Sequence, residues 1–117
     1  MFRQRLNDLR EAISGARATC LAAGDGIVID SVGGEGLDLE VLAAEMTSMA
    51  KGIGAEQRGL QIGEALRFEI VTDAYGVILT RVAESYYLLV VVEAGHPLGR
   101  ARFEMRRAAL DFQDDLV

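Results

Sequence analysis

Apolar residues recur along this chain with two periods, near 3.6 and 2, and the switches between them lay out its elements. Phe2, Leu6, Leu9 and Ile13 are four, three and four residues apart and share a face, predicting a helix over residues 2–16 with Gly15 near its end. Residues 19–23 and 27–31 read as a hairpin around Gly24-Asp25-Gly26, a loop suited to positive φ. Gly33-Gly34-Glu35-Gly36 is too flexible to continue the strand.

A second helix spans residues 39–58 and starts near Leu37 or Asp38, with Asp38 and Glu40 suited to its N-terminal dipole. Leu39, Leu42, Met46, Met49 and Ile53 step by three, four, three and four, a narrow seam of coiled-coil type. Beside it, Ala43, Ala44, Thr47, Ser48, Ala50 and Gly52 permit close approach of another backbone. Three strands follow at 64–71, 75–82 and 86–92, and their three-residue connections force antiparallel pairing. The last, Tyr86-Tyr87-Leu88-Leu89-Val90-Val91-Val92, is apolar on both faces. It must be central, with helices covering the sheet above and below. After Pro97 a helix over 98–116 carries Leu98, Ala101, Met105, Ala108 and Phe112 on one stripe. The predicted order is α-β-β-α-β-β-β-α.

Half of the 117 residues are apolar, so one domain over 1–117 has an adequate core without a disulfide or metal staple. The lone Cys20 reads as a small hydrophobe in a reducing compartment. No targeting segment is expected, and the longest apolar run, 86–92, is too short to span a bilayer. The expected setting is cytoplasmic, without membrane insertion.

The net charge of −6 is unevenly spread: +2 over residues 1–17, −8 over 18–97 and zero over 98–117. An acidic middle repels phosphate, which argues against nucleic-acid binding. Arg100, Arg102, Arg106 and Arg107 form at most a modest basic surface, and a solvated helix face is the commoner explanation for them.

Each motif that could carry chemistry lacks a necessary part. The Gly33–Gly36 loop has no Lys or Ser/Thr for phosphate and magnesium, and Glu35, Asp38 and Glu40 would repel an anion. Gly52-Ile53-Gly54 lies in or after a helix, where no dinucleotide turn forms. His96 has no partner for metal binding or nucleophile activation. Asp25 and Asp30 lack the further oxygen ligands of a calcium loop. The sequence therefore predicts no catalytic residue, cofactor or metal.

Association is the better-supported role. With 86–92 central, strand 64–71 falls at the sheet margin, where unpaired backbone groups invite a second strand. Leu66, Phe68 and Ile70 are expected on one face, with Ala65, Arg67, Glu69 and Val71 on the other. Arg67 and Glu69 can blunt an exposed edge. Alternatively, Arg67 can approach Glu69 of a second copy across a twofold axis, and the unpartnered helix seam favours that reading. The predicted dimer interface is Met46, Met49, Ala50, Ile53, Leu66, Arg67, Phe68, Glu69 and Ile70.

The order of elements resembles the roadblock/dynein light-chain family and the bacterial gliding-motility regulators of the same fold. The resemblance rests on residues 20–30 (CLAAGDGIVID), the long helix after Leu37, the strand 66–71 and residues 97–107 (PLGRARFEMRR). It implies a profilin-like α+β sandwich, with a five-stranded antiparallel sheet, one helix on one face and the two terminal helices on the other. It also implies homodimers that join their sheets through the second helix and third strand. A small Ras-like GTPase would then bind on the paired-helix face, touching Glu45, Ser48, Lys51, Gly52 and Arg58. Nothing marks Lys51 or Arg58 as a catalytic finger, so docking and repositioning is the expected mode. The alternatives are a structural adaptor of a motor or motility assembly, and a small-ligand sensor.

Overall fold

The computed structural model of the chain describes residues 2–60, 63 and 65–116, the side chains of 54–60 excepted. Its elements are α1 (Arg3–Ala12), β1 (Ala16–Ala23), β2 (Val28–Gly33), α2 (Leu39–Leu60), β3 (Arg67–Val71), β4 (Tyr75–Val82), β5 (Tyr86–Glu93) and α3 (Gly99–Leu116). The strands form one antiparallel sheet in the order β2-β1-β5-β4-β3. β5 is central, as its two apolar faces require, and β3 is an edge.

Two cores lie on opposite faces of this sheet. Leu88, Val90 and Val92 of β5 point to α1 and α3, packing with Leu6, Leu9, Met105 and Phe112. Leu89 and Val91 point to α2, packing with Leu39, Ala43 and Met46. Beneath α2, β1 presents only Ala18, Cys20 and Ala22, so helix and sheet approach closely. The β1–β2 loop shares in this. Gly26 has φ +87°, and a Cβ there would stand 3.0 Å from the Cα of Ala44. The small residues of α2 thus accommodate the chain's own hairpin.

Several boundaries depart from the sequence pattern. β1 starts at Ala16, three residues early, and β2 runs on to Gly33, which pairs with Ala18 although the Gly33–Gly36 stretch was expected to be loop. α1 ends at Ala12, not Ala16, because Gly15 at φ +83° turns the chain into β1, where Ala16 already pairs with Val92. Ile13 keeps its place in the core in an extended conformation (φ −113°, ψ 113°). β3 begins at Arg67, so Ala65 and Leu66 precede it, and Glu64 lies outside the described residues.

Hydrogen bonds and ion pairs tie the layers together. Asp38 accepts from the backbone N–H of Val41 at 3.1 Å, an N-terminal cap for α2. The Thr19 hydroxyl donates to the Leu6 carbonyl at 2.8 Å, fastening α1 to β1. Arg5 pairs with Asp115 at 2.7 Å, linking α1 to α3.

Candidate interaction surface

β3 pairs with β4 from Arg67↔Thr80 to Val71↔Gly76, and among the described residues no strand covers its other side. Phe68 and Ile70 are half-buried and pack into the α2-side core, as the alternation predicted. Leu66 does not join them. It precedes the strand, is 68 % exposed and turns to the α3 side beside Arg67 and Arg102. Its carbonyl still accepts from the Arg81 N–H at 3.0 Å, but it lies outside the paired register that begins at Arg67, and its side chain is left exposed.

On the α3 side, Glu69 is engaged within its own chain. Arg102 donates to both its oxygens, Nε at 2.7 Å and Nη2 at 2.9 Å, and Arg67 Nε lies 2.9 Å away. The bidentate bond from Arg102, with the charges of Arg102 and Arg67, holds the Glu69 carboxyl below its ordinary range despite partial burial. The same contact raises the Arg102 pKa. Within the single chain, Arg67, Glu69 and Arg102 thus already form an intramolecular triad that clamps β3 to α3.

Along α2 the seam divides. Met46 is 1 % and Ala50 7 % exposed, so both belong to the protein's own core and do not form part of an open face. The buried set is Leu39, Ala43, Met46, Thr47 and Ala50. A straight helix at 3.6 residues per turn drifts away from a 3.5 repeat, carrying the later seam positions outward. Met49 and Ile53 are consequently 40 % and 36 % exposed. Glu45, Ser48, Lys51 and Gly52 lie exposed along the same helix, whereas the side chain of Arg58 lies outside the described residues. The exposed surface of α2 thus comprises Met49 and Ile53 with the polar Glu45, Ser48 and Lys51.

The other singled-out residues are structural in place. Cys20 is fully buried, and burial, with the negative charge of Asp30 adding to it, pushes its thiol up to about 12. His96 lies over Gly15, where a Cβ would strike the imidazole, and its Nδ1 is 3.4 Å from the Ser14 hydroxyl. Among the described residues no cluster of His, Cys, Asp and Glu could hold a metal, and no helix is long and apolar enough to cross a membrane.

Sequence reasoning missed two features of α3. Glu104 is almost fully buried, held by Arg107 at 3.1 Å and Arg100 at 3.4 Å. Its spacing of four and three from those arginines was the available signal. Arg102 acts on β3, 33 residues distant in sequence, and nothing local reveals that.

No family model and no curated protein matches the sequence. Solved structures do match the fold. An MglB in a tetrameric arrangement superposes with a TM-score of 0.85 at 21 % identity, covering 96 % of this chain and 85 % of that one. Myxococcus xanthus MglB gives 0.86 at 18 %, covering 96 % and 91 %. A Roadblock/LC7 domain from Streptomyces avermitilis gives 0.84 at 15 %, covering 97 % and 95 %. The chain has a roadblock/profilin-like fold, similar to these structures over nearly its whole length.

Proposed function

We propose that the protein is a non-catalytic homodimeric regulator or scaffold for a small Ras-like GTPase. The observation that carries this reading is the open β3 edge, whose Phe68 and Ile70 pack into the core under α2, together with the exposed Met49 and Ile53 on that helix. Two copies paired edge to edge satisfy the free backbone groups of β3 and cover this apolar surface in one step. The two α2 helices then lie side by side, and Glu45, Ser48, Lys51 and Gly52 of both copies form a platform for the partner. The likeness to an MglB in a tetrameric arrangement favours self-association, and the sequence's resemblance to the roadblock family is what suggests the GTPase. Because nothing in the sequence marks Lys51 or Arg58 as a catalytic finger, the mode of action in this reading is docking on the GTPase and repositioning of its switch segments.

The test is to mix the protein with a small Ras-like GTPase encoded beside it, loaded with GDP or a GTP analogue. Complex formation and hydrolysis or exchange rates are then measured. Binding that depends on nucleotide state, with a changed rate or localisation of the GTPase, is expected. Neither complex nor rate change in either nucleotide state would overturn the reading.

A further inference from the structure

On the sheet face opposite α2, a groove of about 340 Å³ runs between α3 and the β3–β4 margin. Arg67, Arg81, Arg102 and Arg106 line it, and no acidic side chain does so among the described residues. One third of the chain's 12 basic residues thus gather at one place in a protein of net charge −6. Glu69 is shared between Arg67 and Arg102, and Arg106 has no ion-pair partner among the described residues. Arg81 is already engaged, in part by donating to the Glu84 carbonyl at 3.1 Å across a turn in which Ala83 adopts φ +53°, so the groove's binding charge rests on Arg106 and on Arg67 and Arg102 around their shared Glu69. Leu66 and Leu110, the latter 64 % exposed, add apolar surface to the same groove.

We propose that this groove docks an acidic segment of a partner protein, carrying carboxylates around one apolar side chain. Guanidinium forks match carboxylates in shape and charge, and the two leucines offer the apolar residue a seat. Charge complementarity selects this occupant. A long polyanion such as nucleic acid would run beyond the groove onto a chain whose residues 18–97 carry −8. The groove is built within one chain and needs no GTPase, although Leu66 and Arg67 also belong to the edge that the proposed dimer pairs.

The probe is a fluorescein-labelled twelve-residue peptide of Asp and Glu around a central Leu, followed by anisotropy. Its counterpart has Asn and Gln in place of the acids. The acidic peptide is expected to bind, more weakly as salt rises, and the neutral one is not. Arg106→Glu turns an attraction into a repulsion and should weaken binding by about tenfold. Leu110→Asp should weaken it comparably, whereas Arg3→Glu, a charge-matched change on α1, should not. Arg106 and Leu110 are both exposed, and unchanged melting of the variants verifies their fold. No binding of the acidic peptide up to about 1 mM, equal binding of the neutral peptide, or equal binding by Arg106→Glu would overturn the proposal. So would tighter, Arg106-dependent binding of a single-stranded oligonucleotide or of phosphatidylserine vesicles.

Discussion

Ile53→Asp separates association from folding, because Ile53 is exposed on α2 while its neighbours Met46 and Ala50 are not. Complete burial of an isoleucine side chain is worth about 1.5–3 kcal/mol. Ile53 has 36 % of its surface left to bury, so its remaining share is about 0.5–1 kcal/mol per copy. Twofold symmetry counts that share twice, giving about 1–2 kcal/mol, or roughly a five- to thirtyfold weaker dimer from lost area alone. An aspartate at the same place must also be desolvated on pairing, at a cost of several kcal/mol. The dissociation constant should therefore rise by about a hundredfold or more. Sedimentation velocity over about 1–300 µM, a range that brackets micromolar dimers, reads this directly, with thermal melting as the control for fold. A wild-type protein that sediments as a monomer throughout, or an Ile53→Asp protein that associates as well as wild type, refutes the reasoning.

Met46→Ala, by contrast, opens a cavity between α2 and β5 and should cost about 2–5 kcal/mol, lowering Tm by about 10 °C or more. Asp38→Ala removes the N-terminal cap of α2 and should cost about 1 kcal/mol, measurable by urea titration. The Glu69 carboxyl titrates below its ordinary range when folded. Its contribution is therefore present above the ordinary value and lost as pH falls below it through the lowered folded value, and Arg102→Ala should flatten this acid limb of a stability-versus-pH curve. Cys20 has the opposite sign. The unfolded thiol ionises near 9.0 and the folded one near 12, so stability should fall by about 1.4 kcal/mol per pH unit in that interval. Cys20→Ala should remove this slope.

The apolar run 86–92 identified the central strand because only a strand covered on both sides can be apolar throughout, and β5 occupies that position. Likewise the three-residue links on either side of β4 left antiparallel pairing as the only option. What remained hidden was non-local. Met46 and Met49 look alike in a heptad, and only the path of α2 over β1 and β5 sends one inward and leaves the other out. Leu66 fits the alternation of β3 in sequence, yet the ladder starts one residue later. The pairing of Arg102 with Glu69 depends on where α3 crosses the sheet, which no local spacing encodes. Arg106 and Leu110 are ordinary solvated positions until α3 is set against the end of β4.

Phe2 of the α1 start stacks 5.9 Å from Phe112 near the end of α3, and Arg5 reaches Asp115. Any polypeptide joined before the first helix or after the last therefore departs from one shared side of the molecule, behind the sheet as seen from α2. A fluorescent reporter or an immobilising tether can be attached at that side, or a short linker can bridge the two positions in a circular permutant, without crowding the helix on which a partner would settle.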